Sequence, residues 1–520
     1  MSDSGKRARI AWAALAGIVG AGVLLAVSEL IALIVARRAS PILAVGSFVV
    51  DVVPQPLKEF AIAAFGSADK IVLLAGLALA ALCGAGLAGV VEERRRFAGG
   101  ALMLLGAGLA TAAVVTRAGA GALDALAPVA GGAAGAATVV LLVDRLHRWR
   151  AAAGDDGTQG DVRMHRRSFL AMTAVAAAGA LVVGIGARAV NIATSSVSAL
   201  RDALRLPAPR TSIAVPAEAE LGIPGLSPVV TPNADFYRVD TALTVPTVDP
   251  AQWRLVIDGM VERRVELTFD DLLARGLDEY AITLTCVSNE VGGDLVGNAV
   301  WLGVPVRDLL RLAGPAEGAD MVLSRSVDGF TASTPLASLV DDGLDAILAV
   351  GMNGEPLPPE HGFPVRMVVP GLYGYVSATK WLTALTVTTF ADDEAYWTPR
   401  GYSARAPIKF SSRVDTPKPG TPVRAGRVPI AGVAWAQTVG IERVEVRIDD
   451  GPWREATLAA AIGVDTWVQW HLEWDATPGP HYVTVRAVDR SGAVQIEEPA
   501  PIAPDGSSGW QRTLVTVTGG

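Results

Sequence analysis

The sequence predicts an α-helical membrane domain of about five spans, followed by an irregular α+β domain and a C-terminal β-sandwich. Apolar residues make up 51% of the 520-residue chain and charged ones 18%, with a mean hydropathy of +0.38. The excess of Ala, Gly, Leu and Val sits almost wholly before Asn191, so membrane and soluble portions are joined in series. Between residues 227 and 413, strand-like runs alternate with helix starts but keep no regular βαβ period. After residue 414 a period-two pattern takes over, in Val444, Val446 and Ile448, in Val468, Trp470, Leu472 and Trp474, and in Val483, Val485 and Ala487. That alternation, broken by turns, is the signature of antiparallel strands with one buried face.

A bilayer span needs roughly 20 apolar residues. Runs of that kind cover 10–35, 71–91, 98–115, 126–143 and 169–187 within a membrane domain of 1–190. The stretch 41–65 is apolar but interrupted by Asp51, Pro54, Pro56 and Lys58, which suits an interfacial or re-entrant segment. Cations flank the spans unevenly: Lys6, Arg7 and Arg9 precede the first, Arg94 to Arg96 follow the second, and Arg145, Arg148, Arg150, Arg163, Arg166 and Arg167 separate the fourth from the fifth. With those groups in the cytoplasm, everything after Arg188 is delivered to the extracytoplasmic side. Arg37 and Arg38 oppose this bias. The run Arg166-Arg167-Ser168-Phe169-Leu170 resembles a twin-arginine export signal placed inside the chain, and equally suits two inside-positive charges before a helix.

Haem is not expected. His147, His165, His361, His471 and His481 all lie outside the proposed spans, and Cys-x-x-Cys-His is absent. The membrane domain therefore reads as an anchor or docking element, and electrons must come from or go to a separate redox partner. A net charge of -8 with pI 5.3 offers no footprint for nucleic acid. The two cysteines, Cys83 in an apolar run and Cys286, form no disulfide framework.

A linker of 191–226, with helical spacing over 191–206 and an extended proline-rich tether over Pro207–Pro232, leads into the central domain of 227–413. There the β-branched run 281–285 ends at Cys286, followed by Val287-Ser288-Asn289-Glu290-Val291-Gly292-Gly293. A cysteine at a strand end is a buried small hydrophobe, a nucleophile or a single soft metal ligand. Upstream, the polar turn around Asn233 leads to Phe236, Tyr237, Arg238 and Asp240, a mixture that suits a loop meeting an anion or an aromatic pair at a domain edge. Downstream, His361-Gly-Phe-Pro-Val-Arg366 precedes a glycine turn carrying Tyr373, Tyr375, Ser377 and Lys380, whose backbone N–H groups and cations form a phosphate cradle.

Taken together and in this order, the Cys286 loop, the His361 to Arg366 run and the Lys380-Trp381 end resemble the sulfite oxidase superfamily of molybdopterin enzymes. The resemblance covers the chain from about Pro228 to its end. It implies a molybdenum bound by a pterin dithiolene and by the Cys286 thiolate. It also implies cofactor contacts at Asn233, Tyr237, Arg238, Asp240, His361, Arg366, Ser377 and Lys380, with Asp328 a further candidate. The sandwich of 414–520 is implied to be immunoglobulin-like, offering its surface to a second copy as a homodimer or to its own central domain.

There are departures. The sulfite oxidases proper carry Arg-Asn-His where this chain has Arg238-Val239-Asp240, and an arginine and a histidine where it has Tyr375, Val376 and Ser377. Fewer cations at the metal favour a neutral small-molecule substrate, an S- or N-oxide reduced with Tyr373 and Tyr375 in the pocket, over sulfite oxidation. A non-catalytic binding protein that keeps the fold is the reading from another class.

Overall fold

The computed structural model describes residues 3–35, 45, 69–116, 122–154, 159–194, 197–242 and 245–519. It divides into two compact units, Met1–Ser196 with Thr241–Thr244, and Val197–Asp240 with Val245–Gly520.

Among the described residues of the first unit, five helices are long and apolar enough to cross a membrane. They are α1 (Asp3–Val35), α2 (Asp69–Arg94), α3 (Ala98–Val115), α4 (Leu126–Gly154) and α5 (Gln159–Thr194). Helix α1 packs against α2, α4 and α5, and α3 lies on α4. Alanines (Ala13, Ala16, Ala85 and Ala88) let the backbones approach closely, and Val19, Val139 and Leu142 pack beside them. Helix α4 runs past the apolar stretch because Arg145 to Arg150 continue it beyond the span. The carboxylate of Glu92, buried at the end of α2, accepts from the backbone N–H groups of Phe97 (2.7 Å), Gly99 (2.9 Å) and Gly100 (3.0 Å). It thereby satisfies the otherwise orphaned first turn of α3. In the arginine-pair motif, Phe169 is fully buried between Trp12 (5.9 Å) and Trp149 (5.8 Å), and the Ser168 hydroxyl accepts from Arg145 (2.6 Å). Apart from Val45, the stretch 41–65 lies outside the described residues.

The second unit begins with a short helix, Val197–Ala203, anchored by Arg201, whose Nε donates to the carbonyls of Pro356 (3.0 Å) and Leu357 (3.1 Å). The proline-rich segment that follows is laid along the unit. Some of its N–H groups find partners there, Arg210 with the Leu277 carbonyl (2.7 Å) and Thr231 with that of Asn298 (2.8 Å).

Ten strands then build the central domain: β1 (Arg254–Gly259), β2 (Val265–Thr268), β3 (Asp278–Thr285), β4 (Val296–Pro305), β5 (Met321–Ser326), β6 (Thr331–Pro335), β7 (Ile347–Met352), β8 (Glu355–Pro356), β9 (Arg366–Val368) and β10 (Leu382–Thr388). One sheet runs β2-β1-β10-β5-β6, the other β3-β4-β7-β8 with β9 paired to β7. Only β1 and β10 pair in parallel among these; the remaining pairs are antiparallel. Thr268 and Asp271 form a reciprocal capping box at the helix Phe269–Leu273. Ile282, Leu284, Trp301, Ile347, Met352 and Phe363 fill the core beneath β3, β4 and β7, so the ends of these strands are rigid supports for whatever they carry.

The remaining strands are β11 (Ser411–Thr416), β12 (Val423–Arg424), β13 (Gly426–Trp435), β14 (Ile441–Ile448), β15 (Arg454–Glu455), β16 (Thr457–Leu458), β17 (Val468–Ala476), β18 (Gly479–Asp489) and β19 (Gln511–Thr518). They form two sheets, β11-β13-β17-β16 and β12-β19-β18-β14-β15. Ile430, Trp470 and Trp474 from one meet Val444, Val483, Val485 and Val515 from the other; of these, Trp470, Trp474, Val444, Val483 and Val485 belong to the alternation read in the sequence. His471 lies on β17, and His481 is held by Asp449 (2.8 Å) and the Thr477 carbonyl (2.9 Å), so each serves the sandwich. The sandwich is stitched to the exposed edge of β3: the Thr283 hydroxyl accepts from the Trp467 N–H (2.8 Å), and the Thr283 N–H donates to the Asp465 carbonyl (2.9 Å).

Candidate active site

Strand β3 delivers Cys286 just beyond its last ladder pair, Thr285 with Val296. The loop is stapled by its own atoms. The Cys286 N–H donates to the Leu295 carbonyl (2.9 Å), the Asn289 N–H donates to the Cys286 carbonyl (3.0 Å), and the Asn289 side chain accepts from the Leu295 N–H (2.9 Å). Cys286 is buried, 8% exposed. Burial pushes its thiol pKa up, while the Ser288 N–H and hydroxyl and the charge of Lys380 pull the other way. A bound metal must therefore displace a proton from this sulfur.

Beside it lies a cluster of cations built from distant segments. The single turn Pro359–His361 ends at Gly362 with φ of +114°, where a Cβ would come within 3.0 Å of the Arg366 side chain and 3.2 Å of the Lys380 Cα. Only glycine permits both that backbone and that closeness. His361 is buried edge-on to Phe236 (5.5 Å), with Nε2 3.2 Å from the Asn233 carbonyl. Burial, and then the charges of Arg366 and Lys380, push its pKa down to about 4, so it is neutral at physiological pH.

Arg366, itself buried over Trp301 (5.0 Å), donates to the His361 carbonyl (3.1 Å) and the Ala378 carbonyl (3.4 Å). Burial lowers its pKa to about 10, which leaves it charged. Its Nε is buried with no hydrogen-bond partner. Lys380 donates to Asp240 (2.7 Å) and to the Glu360 carbonyl (3.0 Å), above the Trp381 ring at 4.7 Å. Burial lowers its pKa to about 8, an effect that Asp240 opposes. Trp381 holds φ of +51°, uncommon for a bulky residue, and its indole donates to the Pro359 carbonyl (2.8 Å). The same Asp240 carboxylate accepts from Arg238 (2.8 Å).

Tyr237 stacks on Phe236 (5.2 Å), and burial, then the neighbouring Cys286, push its phenol pKa up. Its hydroxyl makes no hydrogen bond among the described residues and sits 3.9 Å from where a Gly374 Cβ would stand. Tyr373 is buried as well, its pKa pushed up to about 12 by burial, while the neighbouring Lys409 backbone pulls the other way. Cys286, Tyr237, Tyr373, His361, Arg366, Lys380, Asp240 and Arg238 thus converge.

Other sequence candidates are engaged elsewhere. The Asn233 side chain is tied to Asn353 (2.8 Å) and the Met352 carbonyl (3.3 Å), so it orders the loop while its own carbonyl meets His361. The Ser377 hydroxyl bonds the Leu372 (2.9 Å) and Tyr373 (3.0 Å) carbonyls, closing the turn Gly374–Ser377. Asp328 accepts from the Phe330 N–H (3.2 Å) at the β5–β6 turn. Tyr375 donates to the Ser403 carbonyl (2.6 Å) and packs on Tyr402, so its proton is already committed.

The sequence reading missed Arg413, which donates to the Gly293 carbonyl (2.9 Å) of the cysteine loop and pairs with Asp415 (2.6 Å). Its signal was available: Arg413 and Asp415 lie two apart in a strand, on one face.

Comparison with known proteins identifies the family. The model of the oxidoreductase molybdopterin binding domain matches residues 242–397. Mitochondrial sulfite oxidase of Rattus norvegicus is 31% identical over 341 residues, 55% of this chain and 62% of that protein. Sulfite oxidase of Arabidopsis thaliana is 30% identical over 334 residues, 52% of this chain and 84% of that one.

The chain belongs to the sulfite oxidase family.

Its match therefore spans somewhat less than two thirds of the rat relative and most of the plant one. The sulfane dehydrogenase SoxCD of Paracoccus pantotrophus has a TM-score of 0.48 and 26% identity, over 55% of this chain and 81% of that one.

The family's cofactor is a molybdopterin, and the residues present fit it. No group of three or more His, Cys, Asp or Glu capable of holding a metal exists among the described residues, so a metal at Cys286 must bring its other donors with it, as a dithiolene-bound molybdenum does. The unpartnered Nε of buried Arg366 is a donor awaiting an acceptor, and with Lys380 and Arg238 it suits the phosphate of the pterin. Bound there, the group would supply a metal that exchanges two electrons with substrate.

Proposed function

We propose that this chain is a membrane-anchored oxidoreductase that reduces a neutral S- or N-oxide by two-electron oxygen-atom transfer at its molybdopterin site. One observation carries the reading. The ionisable groups that act on Cys286 are the Tyr237 and Tyr373 phenols and Lys380, and Lys380 shares the Asp240 carboxylate with Arg238. Oxyanion capture needs uncompensated cations. Hydroxyls in a buried wall instead orient a neutral, polarised oxygen and leave an uncharged product free to depart. Arg366, Lys380, Arg238 and His361 hold the cofactor, and Cys286 tunes its metal. Each oxygen removed leaves as water after uptake of two electrons and two protons, the electrons supplied by a separate redox partner.

Sulfite oxidation is the second reading, favoured by the animal and plant relatives at about 30% identity. Steady-state assays of the molybdenum-loaded chain decide between them. Reduced viologen should be oxidised by sulfoxides or N-oxides with a higher kcat/KM than ferricyanide is reduced by sulfite. Efficient sulfite turnover beside inert sulfoxides would overturn the proposal.

The charge asymmetry of the loops supports an extracytoplasmic catalytic unit. A phosphatase that folds only outside the cytoplasm, fused after Gly520, should be active in intact cells. An inactive fusion on a stably made chain would contradict this orientation. Association through the C-terminal sandwich into a homodimer belongs to the same proposal.

A further inference from the structure

The C-terminal sandwich sends one segment back toward the catalytic half. Between β18 and β19, residues 501–509 cross over the Tyr373 turn and the cysteine loop. Gly506 stands so close to Tyr373 that a Cβ on it would lie 2.3 Å from the phenolic oxygen, and its φ is +95°. No other residue type fits that backbone and that spacing. The Ser507 hydroxyl donates to the Asn289 carbonyl (2.7 Å), in the loop that presents Cys286. The Ser403 N–H donates to the Pro504 carbonyl (2.9 Å), from the turn to which Tyr375 also bonds.

Between these contacts sits Asp505. Its carboxylate accepts from the Lys409 ammonium at 3.0 Å, which donates also to the Gly506 carbonyl at 2.7 Å. The Lys409 backbone itself faces the Tyr373 hydroxyl. The fold cancels the Lys409 charge with an anion from another domain. Asp505 is half-exposed and Lys409 less so, and a cleft lined by Lys409, Phe410, Gln495, Ile496, Ser507 and Gly509 opens beside the pair.

We infer that Asp505 is a specificity-determining residue: by pairing with Lys409 against Tyr373, it cancels a cation beside the pocket that would otherwise attract an oxyanion. The inference rests on the proposed preference for neutral substrates and assigns part of that preference to one carboxylate. Gly506 and Ser507 act as positioning residues, setting Tyr373 and the cysteine loop.

The test uses the full, molybdenum-loaded chain in detergent and sulfate as an inert oxyanion, so that it does not depend on which substrate turns over. Asp505→Asn keeps size and polarity and frees the Lys409 charge. Inhibition by sulfate should strengthen about tenfold, the scale of one charge-assisted hydrogen bond, while KM for whichever substrate is neutral changes less than about twofold. The double variant Asp505→Asn with Lys409→Met should return sulfate inhibition to the wild-type value, which a mere disturbance of packing would not do. An unchanged sulfate inhibition constant in Asp505→Asn, or a shift that persists in the double variant, would overturn the inference. A wild-type enzyme that oxidises sulfite and ignores sulfoxides would instead overturn the substrate reading, leaving the sulfate result to be judged alone.

Discussion

Cys286→Ser is expected to abolish turnover while the chain still folds. The loss should exceed the roughly 10–100-fold that follows from altering a group behind a metal's ligands, because the ligand itself is removed. Sulfur-to-metal charge-transfer absorption should vanish with it. The substitution is nearly isosteric, and the Ser288 N–H and hydroxyl that face the sulfur can bond an oxygen as well, so thermal unfolding should move by no more than about 1 kcal/mol. Cys83, exposed on α2, provides the control: Cys83→Ser should leave absorption and rate unchanged. Turnover and charge-transfer bands that survive in Cys286→Ser would reduce Cys286 to a buried apolar residue.

That Cys286 was legible in the sequence follows from local physics. A β-branched run that stops at cysteine, polar residues and a glycine pair fixes a strand end, whatever surrounds it. The five membrane-length helices were legible for a similar reason, since apolar length is a one-dimensional property. The sandwich strands followed from a period of two. What the sequence could not state was which polar atoms were already engaged. Ser377 and Asp328 are attractive as letters, yet the first closes its own turn and the second caps a hairpin. Such local bonds compete for these short side chains everywhere. Charge compensation across long separations was hidden too: Asp240 looked like an added negative group, and only the fold shows it shared between Arg238 and Lys380. The same holds for Lys409, neutralised by a residue 96 positions away.

The tether illustrates a different limit. Proline content argues for extended backbone and nothing more. Whether an extended segment floats or lies along a body depends on partners elsewhere, here Leu277, Asn298 and Gln469, and no pattern within the segment announces them. The cysteine loop is held in the same non-local way. Gly293 is reached by an arginine 120 residues downstream and Asn289 by a serine 218 residues downstream. The placement of Cys286 therefore depends on the sandwich as much as on strand β3.

Arg413 makes that dependence measurable. Its side chain and that of Asp415 are 8% and 7% exposed, Nε to Oδ1 at 2.6 Å, and the guanidinium also donates to the Gly293 carbonyl and the Ser227 hydroxyl (2.8 Å). Arg413→Met keeps much of the apolar stem over Trp467 but strands the Asp415 carboxylate in a buried setting. Breaking a buried pair from one side costs about 3–5 kcal/mol, because the remaining charge is uncompensated. For a unit of this size that corresponds to a fall of about 10 °C in Tm. Removing both partners in Arg413→Met with Asp415→Leu should restore most of this stability, since the unpaired charge disappears. It should not restore molybdenum retention, because the Gly293 carbonyl still lacks its donor and the loop bearing Cys286 is released on that side. Thermal unfolding and metal content, read on the same detergent-solubilised samples, separate the two effects. A single variant as stable as wild type, or a double variant that keeps its full complement of molybdenum, would show that the clamp on Gly293 does not set the position of the ligand.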